Sequence, residues 1–337
     1  MSLRIEGASD IGSMREENED SFGSLELPDG WLLTVCDGMG GYAGGKIASQ
    51  TAVDTLLAFV KERFDADRIP DILKEGIAAA NDAVRAKAKS DSKLGEMGTT
   101  CVALIADKDR YFVAHVGDSR AYHFRSGVFT LLSEDHTVVQ QLVRQGRVTP
   151  LEATNHPSAG ILVRCLGQLD VVEAEISGPH ELLPGDRLLL CSDGLSGMLY
   201  EDDIGRVLTS PGLEEAVHAL IRYANDAGGF DNITALVLQA DPFPEDSLSF
   251  VVRVESPEGR ALAEAEARQQ ASPAISPDTG QTQNTLIMTA INPDDTRELA
   301  LPSGPSWEPG SDRWRKIAIA ALVFLALGGI AALLALR

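Results

Sequence analysis

Over the first 240 positions the apolar residues fall into two spacings. Short apolar runs bounded by Gly, Asp, Asn or Ser predict strands near Leu32–Cys36, Thr99–Ala106, Tyr111–Val116, Ala121–Phe124, Arg187–Cys191 and Ile233–Gln239. Longer stretches with apolar residues at helical spacing predict helices over about Ala43–Phe64, Ile69–Ser90, Val138–Gln145 and Leu213–Ala227. Between Ala106 and Tyr111 only D-K-D-R intervenes, which is short enough to make those two strands antiparallel neighbours. The helices come in pairs instead of following every strand. That order predicts an α+β fold and not a doubly wound parallel sheet.

Beyond residue 240 the pattern changes. A short strand-like run, Leu248–Val254, leads into a stretch from about Gln269 to Gly310 rich in Pro, Ser, Thr, Asn and Gln. Such a composition does not bury enough apolar surface to offset its ordering entropy, so residues 241–312 are expected to form a flexible linker. Ile317–Leu336 then reads as twenty residues without a charge or a proline. At about 1.5 Å per residue that run just spans a hydrocarbon core of roughly 30 Å, and it predicts a transmembrane helix. Arg313, Arg315 and Lys316 precede it and only Arg337 follows; by the positive-inside rule the N-terminal part is expected in the cytoplasm. Trp314 stands where an interfacial anchor belongs, and the N-terminus has no apolar signal-peptide core. The expectation is a single-pass protein of the inner membrane with its N-terminal part, residues 1–240, on the cytoplasmic side.

Charge narrows the function classes. The 337 residues carry 29 Lys+Arg against 50 Asp+Glu, a net charge of −21. A nucleic-acid binder needs a basic face to release counterions, and this balance argues against one. Cys36, Cys101, Cys165 and Cys191 are far apart, with no C-x-x-C pair to signal zinc or a redox dithiol, and are expected to be buried thiols.

The acids that matter occupy a recurring position. LLTVC runs into Asp37-Gly38, FVAHVG into Asp118-Ser119, and LLLCS into Asp193-Gly194; Asp231-Asn232 instead opens the run ITALVLQ. A strand holds a carboxylate at its end with little positional freedom, and the glycines allow close approach. Taken singly, each aspartate is also a common turn residue. Taken together, four such acids repel one another if the strand ends converge, and cations neutralise such clusters. Carboxylate and carbonyl oxygens without His or Cys select hard ions, Mg²⁺ or Mn²⁺. Two such ions sharing an aspartate form a clamp for phosphoryl chemistry. Spacing alone leaves the convergence open.

Seven short motifs follow in order: Gly12-Ser13-Met14-Arg15-Glu16-Glu17-Asn18-Glu19-Asp20, Val35-Cys36-Asp37-Gly38-Met39-Gly40-Gly41, Gly98-Thr99-Thr100, Val116-Gly117-Asp118-Ser119-Arg120, Glu134-Asp135-His136-Thr137, Cys191-Ser192-Asp193-Gly194 and Asp231-Asn232-Ile233-Thr234. In this order they resemble the metal-dependent Ser/Thr protein phosphatases of the PP2C (PPM) type, in their bacterial form. The resemblance implies a four-layer αββα sandwich, two central antiparallel sheets flanked by helix pairs, with a metal site for two or three Mn²⁺ or Mg²⁺ ions at one edge. It implies that Asp37 bridges two metals, that the Gly38 carbonyl binds one, and that Asp193 and Asp231 bind the other. Asp118, with Asp193, is implied to hold a third. Glu19 and Asp20 are implied to orient metal-bound waters, and Arg15 to grip the substrate phosphate, for which its fork of donors is suited.

The implied reaction is direct hydrolysis of phosphoserine or phosphothreonine by a metal-bridging hydroxide, reversing a cognate Ser/Thr kinase. Ser119 and Ser192 are then not nucleophiles and are read as turn residues. Where many eukaryotic members have a histidine after the Asp-Gly pair, this chain has Met39, and a thioether donates no proton. His136 is expected to be structural. Residues of about 138–168 match the family's flap, and Pro150, Pro157 and Gly160 fit an irregular segment that selects phosphoprotein substrates. Two rival readings keep the fold: a non-protein phosphoester as substrate, or an idle scaffold. In the linker, Thr282, Thr285, Thr289 and Thr296 are candidate phosphorylation sites.

Overall fold

The computed structural model describes residues 1–40, 44–94, 97–153, 156–244 and 253–255 of the chain. The expected linker, apart from its first residues and 253–255, lies outside the described residues, as do its four threonines, the basic cluster and the apolar run 317–336. Among the described residues no helix is long and apolar enough to cross a membrane.

The strands are β1 (Leu3–Asp10), β2 (Ser21–Leu27), β3 (Gly30–Cys36), the short β4 (Gly38–Met39) and β5 (Gly98–Thr99), and β6 (Cys101–Asp107). They continue with β7 (Arg110–Val116), β8 (Arg120–Arg125), β9 (Val128–Leu131), β10 (Glu175–Glu181), β11 (Arg187–Cys191), β12 (Ile233–Ala240) and β13 (Arg253–Glu255). The helices are α1 (Gly44–Arg63), α2 (Ile69–Ser90), α3 (Val138–Arg144), α4 (Pro150–Ala153), α5 (Asp193–Ser196), α6 (Glu201–Val207) and α7 (Leu213–Asp226). One sheet has the order β1-β12-β11-β8-β9-β13 and the other β10-β7-β6-β3-β2. All pairings in them are antiparallel except β13 with β9, which is parallel and draws on the stretch expected to begin the linker.

The period of two along each strand sorts its side chains between two cores. Leu33 and Val35 of β3 meet Leu188 and Leu190 of β11 and Leu236 and Leu238 of β12 in a cluster between the sheets. The alternate residues Leu32 and Cys36 face Leu56, Ile72 and Ile77 of α1 and α2. Leu189 and Val237 face Val217 and Leu220 of α7 on the opposite side. The layers are therefore helices, sheet, sheet, helices, as expected. Truncating one of these fully buried leucines to alanine costs roughly 2–5 kcal/mol.

The expected strand over Thr99–Ala106 is split at Thr100. There the backbone turns aside, because the Thr100 N–H donates to the Asp37 carbonyl at 2.9 Å. The D-K-D-R hairpin forms, with Asp107 paired to Arg110 and Lys108 at φ 58°.

Strand directions decide where the acids go. Both β3 and β7 are antiparallel to β6, so they run the same way and end on the same edge of their sheet. In the other sheet β11 is antiparallel to β12, so the end of β11 and the start of β12 share an edge. The pairs Asp10↔Ile233 and Ser21↔Cys36 bring the end of β1 and the start of β2 there as well. Every loop bearing a candidate acid leaves from one rim of the sandwich.

Candidate metal centre

Asp37, Asp118 and Asp193 leave the ends of β3, β7 and β11, and Asp231 immediately precedes β12. Asp20, just before β2, is buried at 1% exposure, Asp118 is buried at 9%, and Asp37, Asp193 and Asp231 are half-buried. Asp37, Asp118, Asp193 and Asp231, whose convergence spacing alone left open, come close enough for their charges to act on one another. Burial, then the charges of Asp20, Asp193 and Asp118, push Asp37 well above the usual carboxylate range. Burial and the charge of Asp231 likewise raise Asp193. Asp20 is pushed up to about 7 by burial and by Asp193 and Asp231, and Asp118 to about 8 by burial and by Asp193 and Asp135.

Neutral partners hold this cluster in place. Asp20 Oδ2 accepts from Ser192 Oγ and Thr234 Oγ1, both at 2.7 Å. The Asp37 N–H donates to Thr100 Oγ1 at 2.9 Å, and the Asp37 carbonyl accepts from Thr99 Oγ1 at 2.8 Å. Asn232 crosses between loops: its Nδ2 donates to the carbonyls of Ile11 and Glu17, and its Oδ1 accepts from the Glu19 N–H at 2.8 Å. Glu19 Oε1 accepts from the Gly45 N–H at 3.1 Å, at the start of α1. Gly12 lies where a left-handed backbone and close approach coincide. Its φ is +79°, and a Cβ there would stand 2.1 Å from the Asp231 carbonyl oxygen.

Two oxygens in this network, Asp20 Oδ1 and Asp193 Oδ1, are buried with no hydrogen-bond partner. A buried carboxylate oxygen without a donor is costly, and a divalent cation is the partner that several such oxygens share. The donor set is entirely carboxylate and carbonyl oxygen, which suits Mg²⁺ or Mn²⁺. Arg15 stands at the rim with Nη2 donating to Asp231 Oδ2 at 2.6 Å, about half-exposed. Its guanidinium therefore already faces a carboxylate of the cluster, a pairing the sequence does not announce. Ser192 and Ser119 are both spoken for, Ser119 by Thr100 Oγ1 at 2.6 Å, in keeping with their expected role as turn residues.

The supporting roles of Thr99, Thr100, Asn232 and Thr234 were not legible in advance. They lie inside the quoted motifs, but a Thr or Asn beside a glycine looks like any turn. Among the described residues a second titratable cluster lies nearby, His115, His136 and Glu175, whose ligand atoms fall within 4.8 Å of one another. In it His115 Nε2 pairs with the Glu134 carbonyl at 2.8 Å and His136 Nε2 with Glu175 Oε2 at 3.2 Å. The two rings stack with their centroids 4.7 Å apart.

The raised acids set a pH dependence. In the folded, metal-free chain Asp20 and Asp118 keep protons up to about 7 and 8, whereas the unfolded chain releases them near 3.8. The folded state binds more protons across that window, so stability falls as pH rises through it. His115, lowered from 6.5 by burial and by His136, acts in the opposite direction, but only up to the unfolded histidine range near 6.5. In a chelating buffer the melting temperature is expected to be lower at pH 8 than at pH 6.5, by several degrees. A melting temperature that rises over this interval contradicts the assignment.

The sequence model described as "Protein phosphatase 2C" matches residues 7–237, the whole span from β1 to β12. The chain belongs to the protein phosphatase 2C family. Its relatives include the serine/threonine phosphatase stp of Listeria monocytogenes, 38% identical over 247 residues that make up 71% of this chain and 96% of that one. The serine/threonine protein phosphatase PstP of Mycobacterium tuberculosis is 38% identical over 235 residues, 70% of this chain but 44% of PstP. The crystal structure of M. tuberculosis PstP/Ppp superposes with a TM-score of 0.66, covering 71% of this chain and 98% of that one at 38% identity. The catalytic domain of PstP in complex with two manganese ions superposes with a TM-score of 0.63 at 37% identity, covering 71% of this chain and 99% of that one. The expected bacterial-type phosphatase fold is thus borne out in the protein phosphatase 2C domain.

Proposed function

We propose that this protein phosphatase 2C domain hydrolyses phosphoserine and phosphothreonine on proteins, using two or three Mn²⁺ or Mg²⁺ ions held by Asp37, the Gly38 carbonyl, Asp118, Asp193 and Asp231. The observation that carries this is the convergence of buried acids with unpartnered oxygens beside an arginine. The phosphatase names of its relatives and the two manganese ions of the PstP domain support it. When bound, the ions supply Lewis acidity toward phosphoryl oxygens and lower the pKa of water.

The chain's own residues do the rest. Arg15 leaves Asp231 to grip two phosphoryl oxygens and neutralises the charge that develops on them. Glu19 and Asp20 accept hydrogen bonds from the attacking water and fix its direction; Asp20 Oδ1 is buried with no hydrogen-bond partner in the protein. Ser119 and Ser192 hydrogen-bond Thr100 and Asp20 and are read as structural, which leaves water as the attacking group. Met39 has no proton to give, so the leaving oxygen takes its proton from elsewhere. Phosphate release from phosphothreonine and phosphoserine peptides is expected in Mn²⁺, with none in chelator and far slower release from a phosphotyrosine peptide. Release that survives chelation rejects the proposal.

The run Ile317–Leu336 and the basic residues before it support a membrane tether with the phosphatase domain on the cytoplasmic side, opposite a cognate Ser/Thr kinase. The full chain is expected to stay in the membrane fraction after a carbonate wash, and a chain ending at residue 312 to be released. Recovery of both in the soluble fraction rejects the tether.

A further inference from the structure

Among the described residues no other residue's side chain hydrogen-bonds the Asp118 carboxylate, which meets its own backbone N–H; what surrounds the residue before it bears on how it is aimed. Gly117 has φ +107°, and a Cβ there would meet Thr100 Cγ2 at 2.6 Å, so the peptide is in a conformation that only glycine adopts easily. His136 holds both sides of it. The His136 N–H donates to the Gly117 carbonyl at 2.9 Å, and the Gly117 N–H donates to His136 Nδ1 at 3.2 Å. Because Nδ1 accepts, the ring proton is on Nε2, which donates to Glu175 Oε2 at 3.2 Å. His115 stacks on the ring face at 4.7 Å and fixes its plane. His136 is 4% exposed, so no solvent competes for these contacts.

The same residue anchors the flap. The Val163 N–H donates to the His136 carbonyl at 2.8 Å, and the Val138 N–H to the Ile161 carbonyl at 2.9 Å. Farther along, Thr99 and Leu166 exchange both backbone hydrogen bonds, at 3.1 and 2.8 Å. Thr99 is the residue whose hydroxyl holds the Asp37 carbonyl. The returning strand of the flap is thus joined to the two residues that hold the backbones at Asp37 and Asp118.

We propose that His136 is a positioning residue for Asp118: its Nδ1, acting through the Gly117 peptide, sets the carboxylate where it contributes to cation binding and ties that placement to the flap. This rests on the reading of Asp118 as a metal ligand. His136 touches neither substrate nor cation; it acts at one remove, where losing an orienting partner typically weakens a metal site 10–100-fold.

The test is calorimetric titration of the full chain with Mn²⁺ alone, in wild type, Asp118→Asn, His136→Leu, His136→Asn and the double variant His136→Leu/Asp118→Asn. Asparagine presents Oδ1 where the histidine presents Nδ1, so it keeps an acceptor for Gly117; leucine keeps none. Asp118→Asn and His136→Leu are each expected to weaken the weakest Mn²⁺ step about tenfold, His136→Asn less than threefold, and the double variant no more than Asp118→Asn alone. His136→Gln, with its acceptor one bond too far, is expected to match the leucine variant and serves if leucine does not fold. If Asp118→Asn weakens binding while His136→Leu and His136→Gln do not, or if His136→Asn is as impaired as they are, the positioning role is wrong. If the two losses add in the double variant, His136 acts by another route and the proposal also fails. If Asp118→Asn binds like wild type, the reading of Asp118 as a ligand falls and takes this proposal with it.

Discussion

Asp37→Asn is expected to lower kcat about 10³-fold or more with Mn²⁺ present, while making the metal-free fold more stable. The two effects have one cause. Asp37 faces Asp20, Asp118 and Asp193 across a half-buried site, and their charges together with burial raise it well above the ordinary carboxylate range. A neutral amide removes the cost of holding that carboxyl protonated in the folded state, so the melting temperature in chelator rises. With cations, Asp37 is proposed to be a ligand, and losing it is expected to remove transition-state stabilisation on the order of 4 kcal/mol. The stabilisation that Mn²⁺ gives the wild type, which follows from binding the folded state alone, is expected to vanish in the variant. Phosphatase assays and thermal melts with and without Mn²⁺ check both halves. A variant that loses activity because it unfolds shows the opposite shift in melting temperature.

Arg15→Ala is expected to cost about 10²-fold in kcat/KM, close to 3 kcal/mol, on both a phosphothreonine peptide and a small aryl phosphate. Both substrates present the same phosphoryl oxygens, so a phosphate-gripping residue penalises them alike, whereas a residue reading the peptide penalises only one. Arg15→Lys keeps the charge but not the fork, and is expected to fall between. Stability should hardly change, because the Arg15–Asp231 pair is exposed enough for water to screen it. Steady-state kinetics on the two substrates decide the matter; a loss confined to the peptide assigns Arg15 to substrate recognition.

How much of this was legible in the sequence follows from where each element lies. The central strands β3, β6, β7, β11 and β12 are buried on both faces and read as apolar runs, so they stand out. Of the missed strands, β1, β2 and β10 are edges of their sheets, and β9, between β8 and β13, is only the four residues VFTL. Edge strands tolerate polar residues, glycine and proline, as in SFGSLEL and in EISGPHE with its Pro179 and a register shift between Ser177 and His180. The acids themselves were visible because each ends or begins a central strand. Their convergence was not, because it depends on which strands run the same way, and that information belongs to pairing across the sheet. The parts least legible were the neutral holders. Thr100, Asn232 and His136 act through backbone groups of other loops, and no local pattern marks a side chain that serves a distant peptide.

The most direct test of the central claim, that these buried acids form a divalent-cation site, is calorimetric titration of the chelator-stripped chain with Mn²⁺ at neutral pH in buffers of different ionisation enthalpy. Because Asp20 and Asp118 hold their protons up to about 7 and 8 in the metal-free fold, cation binding must displace them. The expected result is at least two ions bound per chain with release of protons, and loss of both signals in Asp37→Asn. Mn²⁺ binding that releases no protons and survives Asp37→Asn would contradict it.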